Sequence, residues 1–238
     1  MLGAIRHQGF IPWDDDVDIM MPRPDYDAFV SHCDRQSISF KLITYENTPG
    51  YSSPFAKVMD PGTLIEDEAI DIDGTSLGIS IDVFPIDGLG DTFEKALCTF
   101  RSTTWQRELL NATRWKKYFR SKTHALYWEP VRWGLFVLSR FCRPVRLLKY
   151  IDQKNRLIDF NTSQYAGCVS GAYREKEIMP TQVFKEYVEV KFETGSFMAI
   201  KQYDAYLTRH YGDYMKLPPL EKRVSHHTFQ AYLLEEDK

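Results

Sequence analysis

Arg6-His7-Gln8-Gly9-Phe10-Ile11-Pro12-Trp13-Asp14-Asp15-Asp16-Val17-Asp18-Ile19 sets four carboxylates within five residues, after the apolar Phe-Ile-Pro-Trp and before Ile19-Met20-Met21. Side chains alternate faces in a strand. Asp16 and Asp18 therefore share one face and Val17 and Ile19 the other, which reads as an acidic face and a buried face. Like charges that close repel and raise each other's pKa unless a cation neutralises them. Hard oxygen donors of this kind suit Mg²⁺ or Mn²⁺, which bridge protein carboxylates to substrate phosphates. An Asp cluster also forms turns, caps helices or solvates a surface. That use requires neither Val17 and Ile19 interleaved nor apolar runs on both flanks.

Working outward, Met1 to His7 reads as the end of a helix with an apolar face but no N-cap, too short to stand unless it packs on something. Gly9 is expected to stop it, and Pro12 forces Ile11 out of helical space. After Pro22, a helix is expected with Tyr26, Phe29, Val30 and Cys33 at core spacing. Strands follow at 40–45, 55–59 and 63–66, separated by the turn signals Asn47-Thr48-Pro49-Gly50 and Asp60-Pro61-Gly62.

Gly78-Ile79-Ser80-Ile81-Asp82-Val83-Phe84-Pro85-Ile86-Asp87-Gly88 reads as a further strand, with Asp82 set among apolar neighbours. An ionised Asp there is costly unless it is paired, metal-bound or bonded to backbone amides. Asp87, before a glycine, reads as a turn residue. Asp16, Asp18 and Asp82 together give the layout of metal-assisted phosphoryl chemistry, with one carboxylate free to take a hydroxyl proton.

Composition narrows the field. The chain of 238 residues is long enough for a sizeable core, and its aromatic content of 14% is that of a globular protein. A net charge of -3 offers no general attraction to nucleic acid. Cys33, Cys98, Cys142 and Cys168 are widely spaced, which speaks against a structural zinc site and fits reduced thiols in a cytoplasm. No signal peptide or uninterrupted apolar span is apparent.

From 101 to 149 the character changes: twelve basic residues stand against Glu108 and Glu129, so this segment carries +10 and the remainder -13. Trp105, Trp115, Tyr118, Phe119, Tyr127, Trp128, Trp133, Phe136 and Phe141 are interleaved with them, and Pro130 and Pro144 divide the run. Two readings stand side by side: a membrane-surface element, or a helical subdomain with a solvated basic face. No nucleic-acid recognition motif is present. Further on, helix is expected to continue from Asp152 to Phe160, with a short strand at 165–171, a half-buried strand at 187–193 and a helix from Ile200 to Tyr211.

Leu2-Gly3-Ala4-Ile5-Arg6-His7-Gln8-Gly9-Phe10-Ile11-Pro12-Trp13-Asp14-Asp15-Asp16-Val17-Asp18-Ile19 resembles the signature of the LicD family, which includes bacterial phosphocholine transferases and is related to the fukutin-type enzymes. Asp82 with its neighbours resembles the family's second acidic strand, and Tyr211-Gly212-Asp213-Tyr214-Met215, Leu217-Pro218-Pro219 and His226-His227 resemble its C-terminal motif. The resemblance implies an α+β (mixed α/β) fold: a nucleotidyltransferase-like sheet carrying an acidic metal site, in a single domain over 1–238 with a helical, basic insertion at about 95–160. It implies Mg²⁺- or Mn²⁺-dependent transfer of a phospho-alcohol, most often phosphocholine, from a CDP-linked donor such as CDP-choline to a glycan hydroxyl of the lipopolysaccharide, teichoic acid or capsule type. The expected place is the cytoplasm, with peripheral membrane contact through 101–149. Members of the family usually carry a strand and a Gly-Gly-Thr or Gly-Gly-Ser turn just before Leu-Gly-Ala. Met1 stands where that turn would end, and the expectation is a truncated reading frame or a late start site, with part of the donor cradle missing.

The site residues so expected are Asp14, Asp16, Asp18 and Asp82 as metal ligands, with Asp16, Asp18 and Asp82 catalytic. Arg6, His7, Lys57, His226 and His227 are expected to bind substrate. Arg6 and His7 also suit a helix C-terminus, and Lys57 also suits a surface. Two other classes compete: an Asp-x-Asp glycosyltransferase using a nucleotide sugar, in which Asp82 has no catalytic part, and a truncated non-catalytic relative.

Overall fold

The computed structural model describes residues 1–14, 16–35, 39–66, 77–120, 125–225 and 230–234. Its centre is the eleven-residue strand β5 (Ser80–Gly90), whose run Ile81 to Ile86 suits a sheet interior. Strand β1 (Asp18–Pro22) lies parallel to it, and β3 (Ala56–Met59), with β2 (Lys41–Ile43) beyond, lies antiparallel on it. The far end of β5 pairs with β6 (Tyr165–Gly167), which carries the two-residue β7 (Met179–Pro180), completing a six-stranded sheet. Two pairs stand apart from it: β4 (Thr63–Glu66) with β10 (Gln230–Leu233), and the hairpin β8 (Tyr187–Phe192) with β9 (Gly195–Ile200).

Helix α2 (Arg23–Arg35) covers one face of the sheet, where Tyr26, Phe29, Val30 and Cys33 meet Leu42, Ala56 and Val83, the spacing its sequence foretold. Helices α3 (Phe93–Arg101), α4 (Thr104–Thr113), α5 (Glu129–Ser139) and α6 (Pro144–Asn155) follow β5, with Leu110 of α4 packed on Leu148 and Ile151 of α6. On the other face, α1 (Leu2–His7) sets Leu2 and Ile5 against a cluster built from Ile86, Phe160, Ala166, Phe184 and, from α7 (Tyr203–Tyr211), Tyr206 and Leu207. So the short first helix does have something to pack on.

Several expectations are corrected. Helix α1 ends at Gln8, which takes the left-handed conformation (φ 55°), while Gly9 is buried beyond it. Ile19 remains 38% exposed, because among the described residues β1 has only β5 beside it and α2, starting at Arg23, folds back over Met21 instead. Asp87 is no turn residue. It lies inside β5 at 1% exposure, and the Arg23 guanidinium donates to it at 2.6 Å. Burial pushes the Asp87 carboxyl up, and Arg23 works against that shift. The helix expected through Phe160 ends at Asn155, and the one expected from Ile200 begins at Tyr203, since Gly195–Ile200 instead forms β9. The hairpin is also wetter than expected of β8: Tyr187, Val188, Phe197 and Met198 are all exposed, because among the described residues each strand has only the other as partner.

Candidate active site

The register of the sheet builds the acidic floor. Asp18 of β1 stands opposite Asp82 of β5, and Asp82 stands opposite Lys57 of β3, so the three side chains form a row on one face. Pairing continues one residue before β1, where Val17 accepts the Asp82 amide at 3.0 Å. The Lys57 ammonium donates to the Asp82 carboxylate, and both side chains are about one-fifth exposed. Lys57 is therefore no surface lysine. It answers the cost of setting Asp82 among apolar neighbours.

Asp18 is the electrostatically stressed member of the row. Its carboxyl is pushed up to about 6, first by desolvation, then by the neighbouring Asp16 and Asp82, with Lys57 pulling the other way. Crowding of this kind is relieved by a divalent cation, and the donor set of hard carboxylate oxygens fits Mg²⁺ or Mn²⁺. Asp16 and Asp18 both face a cleft, whereas Asp82 is turned to Lys57. Among the described residues no three His, Cys, Asp or Glu side chains gather into a ready-made metal cage.

The cleft above this end of β1 has a volume of about 650 Å³. Asp14, Asp16 and Asp18 line it from one side and Arg6 from α1 from another. Tyr211 at the end of α7 and Asp213, Lys216 and Pro218 beyond it close it from a further side. Arg6 is held there by its own contacts: it donates to the Tyr214 carbonyl at 2.9 Å and to the His7 ring at 3.0 Å. His7 does not line the cleft. It backs Arg6 and meets the Trp13 ring edge-on, with desolvation and then Arg6 lowering its pKa. Arg223 lies over the other part of this wall, 5.4 Å from the Trp13 ring centroid. Gly3 is required by the turn between α1 and the acidic run, since a Cβ there would stand 2.5 Å from the Gly9 carbonyl oxygen. Glu193, in the hairpin turn, accepts from the Phe10 amide at 3.0 Å and fixes the same loop from outside.

Asp15, His226 and His227 lie outside the described residues. Of the remaining expected residues, the structure brings Arg6, Asp14, Asp16 and Asp18 to one cleft and joins Asp82 and Lys57 to Asp18 through the sheet. Lys216 and Tyr211 were not singled out from sequence as site residues, although both belong to the segment around Tyr211-Gly212-Asp213 and Leu217-Pro218-Pro219. Glu177 was missed altogether. It is 1% exposed and lines a second cavity of about 400 Å³ that also opens on Asp18.

Comparison with known proteins gives the following. The sequence profile for "LicD/FKTN/FKRP, nucleotidyltransferase domain" matches residues 1–61. The chain is 31% identical over 238 residues to the lipopolysaccharide cholinephosphotransferase LicD of Haemophilus influenzae, covering 98% of this chain and 86% of that protein. No solved structure matches it.

Proposed function

The chain belongs to the LicD family, and from that premise we propose that it transfers phosphocholine from CDP-choline to a hydroxyl of a lipopolysaccharide-type glycan, with Mg²⁺ or Mn²⁺ at Asp16 and Asp18. The relative's activity makes it a transferase of phosphorus-containing groups. That favours phosphoryl over sugar transfer for the acidic strand. The observation that carries the finer reading is the meeting, at one 650 Å³ cleft, of Asp16 and Asp18 with the cations Arg6 and Lys216. Carboxylates alone would repel a diphosphate. Carboxylates that hold a divalent ion, flanked by two cationic side chains, accept one.

In this reading Asp16 and Asp18 would hold the cation through their carboxylate oxygens. The ion when bound supplies charge neutralisation on the transferring phosphoryl group. Arg6 and Lys216 orient the diphosphate. The acceptor oxygen attacks the phosphorus that bears choline, the P–O bond to the CMP phosphate breaks, and CMP leaves. The hydroxyl proton passes to a carboxylate of the row formed by Asp18 and Asp82, where Lys57 supports the ionised form.

A peripheral membrane contact is part of the same proposal. Around α5, Leu126, Tyr127, Trp133, Leu138 and Phe141 are exposed, Phe141 at 84%, in the segment that carries the +10 charge. Charge and aromatics of this sort suit an anionic lipid surface. No helix among the described residues is long and apolar enough to cross a membrane.

The test is CMP release from CDP-choline with lipopolysaccharide as acceptor, with Mg²⁺ and with EDTA. Metal-dependent release that disappears in Asp16→Ala is expected. Release that is equal in EDTA, or equal in Asp16→Ala, overturns the reading.

A further inference from the structure

Asp18 lies between two cavities, and the second has a chemistry of its own. It occupies about 400 Å³ on the face of the sheet that carries Asp18, Met20, Phe84 and Ile86. Its walls are rings: Phe55 and Phe84 lie 4.2 Å apart between centroids, and Tyr173, Tyr187, Tyr206 and Tyr211 complete them. Neither lysine nor arginine is among its described lining residues, which hold two carboxylates, Asp18 and Glu177, and the Met1 amino group, whose pKa desolvation lowers while Asp18 works against that shift.

Glu177 is built in, not left over. The Tyr206 hydroxyl donates to its Oε2 and the Tyr173 amide to its Oε1, each at 3.3 Å, and the His210 Nε2 stands 3.3 Å from Oε2. Gly171 makes room for it, since a Cβ there would sit 2.2 Å from Oε1. Its oxygens are thus already engaged by protein donors. A cation entering the chamber meets negative charge and aromatic faces, but finds Glu177 poorly placed to accept further hydrogen bonds. A primary ammonium loses its water there without full replacement. A quaternary ammonium needs no such bonds and is drawn to the ring faces.

We propose that this chamber is the subsite for the trimethylammonium group of choline, placing the phosphate beside Asp18 where the two cavities meet. The proposal rests on the CDP-choline reading and adds to it the part of the chain that selects the alcohol.

Calorimetric titration of the purified chain with CDP-choline, CDP-ethanolamine and CMP, in Mg²⁺, tests it. The expected result is at least a tenfold preference for CDP-choline over CDP-ethanolamine. Glu177→Gln and Phe84→Leu each lower that preference about fivefold, the size of one cation–π or charge contact, and leave CMP affinity within twofold. Tyr187→Leu, at an exposed position, makes the same measurement where misfolding is not at issue. Equal affinity for the two CDP-alcohols, or a preference unchanged in all three variants, overturns the chamber assignment while the donor reading stands. Failure to bind any of the three nucleotides removes the donor reading, and the chamber assignment with it.

Discussion

Replacing Asp18 by Asn is expected to stabilise the metal-free chain at neutral pH. The structure raises the Asp18 carboxyl from 3.8 to about 6. Because the folded-state value lies above the unfolded one, the folded chain binds the extra proton between those two values. The ionised carboxylate therefore costs stability above about pH 6, and that cost is gone below about pH 4. That rise corresponds to ~3 kcal/mol at most. Asp18 keeps an exposed surface toward its cavities, so solvent screening reduces this to ~1 kcal/mol. Asn keeps the shape and removes the charge.

Thermal melts of both forms in EDTA across pH 4.5 to 7.5 make the measurement. At the upper end Asp18→Asn should melt about 2–4 °C higher, as a change of ~1 kcal/mol does in a chain of this size. By pH 4.5 most of the difference should have closed, the remainder going below about pH 4. Added Mg²⁺ should raise the wild type at pH 7.5 and leave the variant unmoved, narrowing the gap from the other direction. A gap independent of pH, or an Asn variant that is the less stable form at pH 7.5 in EDTA, would refute the electrostatic account of the acidic strand.

Arg23→Met removes the cation from Asp87, which is 1% exposed. It should cost ~3–5 kcal/mol in a denaturant titration, with most of that regained when Asp87→Asn is added. Lys57→Met should lower CMP release at least tenfold while CMP binding persists, because it disturbs Asp82 and not the cleft. The double variant Trp133→Ser and Phe141→Ser should lose most co-sedimentation with vesicles rich in phosphatidylglycerol. Binding by the wild type should itself fall with added salt.

The acidic strand and its partner were legible because their signal is local. A period of two across Asp16-Val17-Asp18 and an Asp within a β-branched run can be read in a window of a few residues. What joins them is not local. That Asp18, Asp82 and Lys57 stand in one row is a matter of register, set by which of β1, β3 and β5 are neighbours and by their offset. Asp87 shows the same limit. Asp before Gly reads as a turn, and what makes it a buried strand residue is Arg23, 64 positions earlier. Arg6 reaches the Tyr214 carbonyl across 208 positions, so nothing near either residue marks the cleft they share.

Glu177 is the sharpest case. It sits in Tyr173-Arg174-Glu175-Lys176-Glu177, four charged residues in five, with nothing local to set it apart from its neighbours. Glu175 pairs with Arg101 at an exposed site. Glu177 alone turns inward, because Tyr206 and His210 of α7 arrive beside it and Gly171 leaves it space. A buried carboxylate is costly wherever it lies, and this one, held by the Tyr206 hydroxyl and the Tyr173 amide in a wall of aromatic rings next to the acidic strand, stands where a bound cation would offset that cost. In the reading proposed above the two cavities divide the labour: one would offer Arg6, Lys216 and the carboxylates of the acidic strand to a diphosphate, the other rings and Glu177 to an ammonium, and Asp18 borders both.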